Sequence, residues 1–398
     1  MEVDRIPFSE LLGEVIDNRG RTCPTTESGI PLIATNCIRN ELLYPTYDKV
    51  RYVSQETYDT WFRGHPQPGD IIFVNKATPG RVCLVPDPID FCIAQDMVAV
   101  RANPKKVYPK YLFAVLRSPD VQEKIEQLHV GTLIPHFKKG DFNKLLLPVP
   151  KRDLQEFIGD VYFNFSNKIE LNRRMNETLE ALAQTLFKSW FVDPTQSALP
   201  KDWEIRGLDE IAVFLNGLAL QKFPSNSEDS LPVIKIAQLR AGHTEGADRA
   251  GTNLPSQYVI EDGDVLFSWS GSLLVDIWCG GRGALNQHLF KVTSEKFPKW
   301  FYYLWTRHHL AAFQNTAADK ATTMGHIQRH HLSQAKVFVP TAAELEKMDK
   351  QMSPLIGKLI ANNLESRTLA ALRDALLPKL LSGELRLPLP ANLAEAAA

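Results

Sequence analysis

The chain is written twice. Ile134-Pro135-His136-Phe137, running to Leu147-Pro148-Val149-Pro150, returns as Met324-Gly325-His326-Ile327 running to Val337-Phe338-Val339-Pro340, with His326 standing 190 positions after His136. The same interval carries Lys168, Asn172, Thr178, Leu179, Ala181, Leu182 and Leu186 onto Lys358, Asn362, Thr368, Leu369, Ala371, Leu372 and Leu376. Earlier in each half, Gly69-Asp70-Ile71-Ile72-Phe73 is answered by Gly263-Asp264-Val265-Leu266-Phe267, and Pro31-Leu32-Ile33 by Pro232-Val233-Ile234. Solenoid repeats run to roughly 20 to 50 residues, so so long a period marks duplicated domains. Function must therefore be sought in a two-headed molecule.

Each half opens with short apolar runs between turn residues. Ile71 to Val74, Val82 to Val85, Ile93 to Val100 and Val265 to Trp269 lie among Pro68-Gly69-Asp70, Pro79-Gly80, Glu261-Asp262-Gly263-Asp264 and Gly280-Gly281, the pattern of strands in a mixed domain. Helices with proline in the first turn are expected at Pro109 to Arg117 and Pro298 to His309. The fold class is α+β.

The second part of each half is a long helix. No proline or run of turn residues interrupts Asp153 to Phe191, and Leu154, Ile158, Val161, Phe165, Lys168, Asn172, Met175, Leu179, Leu182 and Leu186 alternate steps of four and three, the spacing of a coiled-coil seam. One such helix would reach roughly 55 to 60 Å. The duplicate seam, Met348, Gln351, Leu355, Lys358, Asn362, Glu365, Leu369, Leu372 and Leu376, is more polar, and Ser353-Pro354 marks a place for a kink near its start. An asparagine in a seam fixes register, because a slipped alignment leaves its amide without partners. The two helices are expected to pair antiparallel, with Lys168, Asn172, Lys358 and Asn362 near the crossing.

Composition sets limits. With 398 residues, 44% hydrophobic and 23% charged, the chain reads as an ordinary soluble protein of two or three domains. No apolar run approaches the roughly 20 residues that span a bilayer, and no N-terminal signal pattern is present, so a cytoplasmic location is expected. Cys23, Cys37, Cys83, Cys92 and Cys279 form no CxxC pair and do not recur at the repeat interval, which speaks for reduced, buried thiols. A net charge of −1 shows no basic excess; local clusters rather than totals make phosphate contacts, however.

The catalytic inventory is bare. No GxxxxGK[ST] loop and no N/D-P-P-Y/F run occurs, and Pro119-Asp120 with Glu123-Lys124 is too closely spaced for a nuclease site and is not duplicated. His326, His330 and His331, with His308-His309 upstream, hold no carboxylate or cysteine at ligand spacing, so no metal site is expected. Recognition remains. In the first half Arg19, Arg21, Arg39, Lys49 and Arg51 lie among Tyr44, Tyr47, Tyr52 and Tyr58, and Lys138-Lys139 follow His136. In the second half the candidates for groove and phosphate contact are Lys222, Lys235, Arg240, His243, Arg249, Lys320 and Arg329. Two similar but divergent heads joined by stiff helices suit a bipartite, asymmetric duplex target whose halves lie about one turn, roughly 34 Å, apart or a multiple of it.

The stretch Leu179-Glu180-Ala181-Leu182-Ala183-Gln184-Thr185-Leu186-Phe187-Lys188-Ser189-Trp190-Phe191-Val192-Asp193, followed by Leu199-Pro200-Lys201-Asp202-Trp203-Glu204, resembles the central conserved region of Type I restriction-modification specificity subunits. Leu376-Leu377-Pro378-Lys379-Leu380-Leu381-Ser382-Gly383-Glu384-Leu385 resembles their distal conserved region. The resemblance implies target-recognition domains at 1–150 and 196–340, conserved helical spacers at 151–195 and 341–385, and a disordered tail at 386–398. It further implies a non-catalytic subunit whose domains each read half of a split DNA site through the major groove. Its helices, through Leu179, Leu182, Leu186, Leu369, Leu372 and Leu376, would pair and dock two modification subunits that methylate adenine using S-adenosylmethionine. Two ATP-dependent motor and nuclease subunits, with Mg, would complete the complex, and this chain itself would hold no cofactor. A specificity subunit of a related phage-defence system, or a two-headed scaffold that binds no DNA, are the competing expectations.

Overall fold

A computed structural model describes residues 4–18, 22–131, 133–196, 199–225, 229–319 and 326–385; Arg19, Arg21, Lys320 and the tail at 386–398 lie outside them. The chain divides into two units, one made of residues up to Leu171 together with those from Thr368 onward, the other of Asn172–Arg367. Each unit thus combines one globular domain with half of each long helix, rather than leaving the helices as bodies of their own.

In the first unit the strand Asp4–Pro7 pairs antiparallel with Leu146–Val149 and closes the domain. Between them lies a four-stranded antiparallel sheet in the order Leu12–Asp17, Met97–Ala102, Ile71–Val74, Val82–Leu84. A smaller sheet follows the order Arg51–Val53, Ile30–Ile33, Cys92–Ile93, the last pair parallel. Ile71–Val74 is buried on both faces. Ile71 and Phe73 join the helix-side core and Ile72 and Val74 the opposite one, as the two-residue period of a strand requires. On the helix side Phe8, Phe73, Phe137 and Phe142 interlock, with Phe142 centred 4.8 Å from Phe8 and 5.3 Å from Phe73. The helix Pro109–Leu116, buried from Tyr111 to Leu116, covers them.

The second unit repeats this plan. Glu204–Gly207 pairs with Lys336–Val339. The larger sheet runs Val213–Asn216, Leu289–Thr293, Val265–Ser268, Leu274–Ile277, and the smaller Arg249–Gly251, Ser230–Ile234, Gly283–Leu285, Val259–Ile260. The helix Lys299–Asp319 supplies Trp300, Phe301, Tyr303 and Trp305 to the core.

The repeated Gly-Asp pair has one explanation in both units. Gly69 and Gly263 sit at φ +86° and +88° in the turns entering their strands, where a Cβ would be strained. Asp70 accepts the N–H of Gln67 at 2.7 Å and the guanidinium of Arg101 at 2.8 Å. Asp264 accepts the N–H of Glu261 at 2.8 Å and pairs with Lys291 at 2.7 Å. The carboxylate fastens the turn to a cation on the neighbouring strand.

The long helices are Arg152–Phe187 and Ala342–Ser382, of 36 and 41 residues. The second is continuous through Ser353-Pro354. In the first unit Arg373 donates to Ser166 Oγ at 3.4 Å and lies 5.3 Å over the ring of Tyr162, while Ile158 shares a crevice with Leu377 and Leu380. In the second, Asn172 Nδ2 reaches Glu365 at 2.9 Å, Ser366 Oγ at 3.2 Å and the Asn362 carbonyl at 3.4 Å, and Asn176 Nδ2 reaches Asn363 Oδ1 at 2.7 Å. Within each unit partner numbers fall as helix numbers rise, so the helix segments run antiparallel.

The seam is not where the strict heptad puts it. Leu182 and Leu372 are 45% and 47% exposed, Lys358 is exposed and Lys168 half-buried. Ala183, Phe187, Arg373, Leu377 and Leu380 are the buried positions instead. A helix of 3.6 residues per turn drifts about 20° per heptad from a 3.5-residue repeat, so a seam anchored at Ile158 has rotated off the leucines several turns later. Leu179 and Leu369 are half-buried, Leu186 packs on the second unit's core and Leu376 on the first's. The first helix ends in a π turn, Lys188–Val192, which seats Phe191 against Trp203, Trp300 and Trp305.

Candidate nucleic-acid interface

In each unit the end of the larger sheet is built by one set of backbone bonds. In the first, the N–H of Asn75 donates to the Asp96 carbonyl at 3.0 Å and that of Phe137 to the Asn75 carbonyl at 2.8 Å. In the second, the N–H of Trp269 donates to the His288 carbonyl at 3.4 Å and that of Ile327 to the Trp269 carbonyl at 3.1 Å. His136 bridges Lys76 as His326 bridges Ser270. Asn75 therefore corresponds to Trp269, Lys76 to Ser270 and Asp96 to His288.

The side chains at these matched places differ. Lys76 and Asp96 face each other at 3.9 Å, 45% and 40% exposed. Ser270 Oγ lies 2.9 Å from Nδ1 of His288, which is exposed, and Trp269 donates Nε1–H to Asn216 Oδ1 at 2.9 Å. Lys139 belongs to the first of these ends, its Nζ 2.8 Å from Asp17 at the close of a sheet strand, and Lys138 is exposed beside it. Val130 is bridged to His136, and nearby Leu133 and Ile134 are exposed.

Of the other described cations expected from sequence, all but Arg329 lie on or beside the smaller sheets. Arg39 faces Asp48 at 3.8 Å, Lys49 takes a left-handed backbone at φ +52°, and Arg51 is exposed on its strand. Among the tyrosines near them, Tyr47 donates to Asp90 and Tyr58 stacks on His65 with centroids 3.7 Å apart. In the second unit Lys235 pairs with Asp248, and Arg249 donates to Ser230 Oγ at 2.9 Å and to its carbonyl at 2.6 Å. Arg240 and His243 are exposed at the end of Ile236–Ala241, and Lys222 is exposed in a short turn. Arg329 opens a helix beside Asp209, Val213 and Phe214. The structure thus splits each basic cluster in two.

Sequence reading passed over Lys76, Asp96, Trp269, Ser270 and His288. The signal was present: these residues follow or precede the matched strands, where the two copies stop agreeing.

His308 and His309 have structural surroundings. His309 contacts the Lys336 carbonyl through Nε2 at 2.9 Å and stacks on Trp305, and burial lowers the pKa of both His308 and His309. Among the described residues no group of three or more His, Cys, Asp or Glu could hold a metal ion. Burial pushes the thiol of Cys92 up to about 12 and that of Cys279 to about 11. Among the described residues no helix is long and apolar enough to cross a membrane.

Comparison with known proteins meets this geometry. The chain is 24% identical to the Type I restriction enzyme MjaIX specificity subunit of Methanocaldococcus jannaschii, over 94% of this chain and 92% of that one. It is 22% identical to the HindI specificity subunit of Haemophilus influenzae, over 80% and 86%. Its fold is shared with the crystal structure of a Type I restriction-modification S subunit from M. genitalium, at a TM-score of 0.55 and 16% identity over 96% of each chain. The family described as Type I restriction modification DNA specificity domain matches twice, at residues 12–181 and 200–372. With nearly all of both domains and most of both helices inside those matches, the chain belongs to the Type I restriction modification DNA specificity family.

Proposed function

We infer that the chain is the DNA sequence-specificity subunit of a Type I restriction-modification complex, each domain reading one half of a bipartite, asymmetric DNA target. The observation that carries this reading is the double family match, each copy falling on a domain closed by its own first and last strands. Recognition resides here and chemistry in partners. Two modification subunits would bring S-adenosylmethionine for adenine methylation, and two restriction subunits ATP and Mg for translocation and cleavage. The complex works in the cytoplasm, where its DNA lies.

The exposed apolar residues Leu182 and Leu372, which pairing of the helices leaves uncovered, suit docking of the modification subunits. The exposed cations of both sheets, Arg39, Lys49, Arg51, Lys138 and Lys139 in the first unit and Lys222, Lys235, Arg240, His243, Arg249 and Arg329 in the second, suit phosphate contact. Several are held by a single surface carboxylate, and such pairs contribute only about 0 to 1 kcal/mol, so exchanging the carboxylate for a phosphate costs little.

The test is adenine-methylation mapping in a host carrying this chain with its modification subunit, against a host with the modification subunit alone. A split motif methylated only when the chain is present is the expected result. Its absence, with both proteins co-purifying, would instead support a scaffold that reads no DNA.

A further inference from the structure

We propose that the matched ends of the two larger sheets are the base-reading faces. On this view the pair at one structural position, Lys76 with Asp96 in the first domain and Ser270 with His288 in the second, sets which base pair each half-site carries. The inference rests on the specificity-subunit reading and deepens it.

The argument begins from what is shared. The backbone of both ends is held by the same two hydrogen bonds and the same histidine bridge, so the scaffold presents side chains at equivalent places. A duplicated reader with two different half-sites must differ where it touches bases and agree where it is merely built. Here the frame agrees and the side chains do not.

Chemistry then assigns the first position. Lysine donates to the O6 and N7 acceptors of guanine, and aspartate accepts from the N4 amino group of cytosine. Lys76 and Asp96 place one such donor and one such acceptor 3.9 Å apart, both partly exposed, so together they match the major-groove edge of a G·C pair. Their mutual ion pair is weak enough at that exposure to be given up. Lys139 stands at the same end, near enough to Asp17 to be positioned for the adjoining phosphate. In the second domain the position bears no formal charge pair, only a hydroxyl and an imidazole in contact at 2.9 Å, so it does not share the G·C preference by the same means.

The experiment maps methylation motifs in hosts carrying the modification subunit with the wild-type chain, Lys76→Ala, Asp96→Asn or His288→Ala. Lys76→Ala and Asp96→Asn are expected to make one G·C position of one half-site degenerate, lowering preference there by roughly ten- to a hundredfold, while the other half-site stays intact and reports a folded chain. His288→Ala is expected to relax only the other half. If the wild type yields no split motif, the specificity reading itself fails. If the wild type yields one and the variants methylate the same motif with unchanged preference at every position, the assignment of the sheet ends is overturned. Should Lys76→Ala abolish methylation altogether, Lys76→Gln decides: a relaxed G·C position supports the proposal, and an unchanged motif overturns it.

Discussion

Asn362 donates its Nδ2 hydrogen to Oδ1 of Asn176 at 2.9 Å, with both residues buried between the two long helices of the second unit. The Asn362 amide nitrogen has Asn176 Oδ1 as its acceptor, and the Asn176 amide nitrogen in turn donates to the Leu359 carbonyl at 3.3 Å and to Asn363 Oδ1 at 2.7 Å. Asn362→Ala is expected to leave Asn176 Oδ1 without its donor and to cost about 1 to 3 kcal/mol. Replacing both residues by leucine should cost less than the single changes added together. A double-mutant cycle by chemical denaturation measures this; strictly additive losses would mean that the pair is not a unit.

Arg367 forks onto Asp262, Nη1 to Oδ1 and Nη2 to Oδ2 at 2.7 Å each, and also reaches the Cys279 carbonyl. The guanidinium hydrogen bonds hold the Asp262 carboxyl below its usual range. The bridge therefore stabilises above the ordinary carboxyl pKa, and its contribution is lost as pH falls through the lowered value. Both groups are partly solvated, so Arg367→Ala should cost only about 1 kcal/mol at neutral pH. The difference from wild type should shrink in acid. A deficit in melting temperature that is equal at pH 7 and at low pH would contradict this.

Asp276 shows the opposite shift. Burial raises its carboxyl to about 6, with the nearby Glu180 adding to the rise and Arg307 opposing it. An acid whose pKa is higher folded than unfolded leaves the fold unpenalised below the unfolded value, and the penalty grows as pH rises toward about 6. Asp276→Asn keeps the acceptor for the Ile277 N–H and removes the charge. It should stabilise the second unit by on the order of 2 kcal/mol at pH 7.5 and by little near pH 4. Thermal melts at the two pH values test this, and equal shifts at both would refute the sign.

Leu182→Asp and Leu372→Asp place a charge where each side chain is already exposed, so each should change stability by less than about 0.5 kcal/mol. Co-purification with the modification subunit should nevertheless weaken at least tenfold if these leucines dock it. Asp at Leu186 or Leu376, which pack against the cores, should instead lower stability itself. Unchanged capture by both exposed-site variants would move the docking surface elsewhere.

What could be read from the residues was mostly local. The Gly69-Asp70 and Gly263-Asp264 turns, the strands after them and the two long helices follow from turn chemistry and periodicity, which need no tertiary information. The asparagines of the helix seam were legible because an amide in an apolar register has few other uses. The exact face was not. A 3.5-residue template and a 3.6-residue helix agree at Ile158 and part by Leu182, and only packing decides which is followed. The local partners of Lys235 and Arg249 were not legible either, because Asp248 and Ser230 come from other turns of the chain. Lys76 and Asp96 stayed hidden because neither is remarkable until the sheet sets them side by side.

Within the second domain the entering residue Glu204 is the direct partner of the departing residue Val339, and Gly207 that of Lys336. The chain therefore enters and leaves this domain through one doorway, a two-stranded gate whose bonds are made by backbone and ask little of side-chain identity. What lies between is inserted at a single place in the chain, and it also bonds to the flanking helices, Trp300 to Asp349 and Arg307 to Glu180. A replacement domain would therefore have to match two things at once, a gate that asks only for backbone and a helix surface that asks for particular side chains.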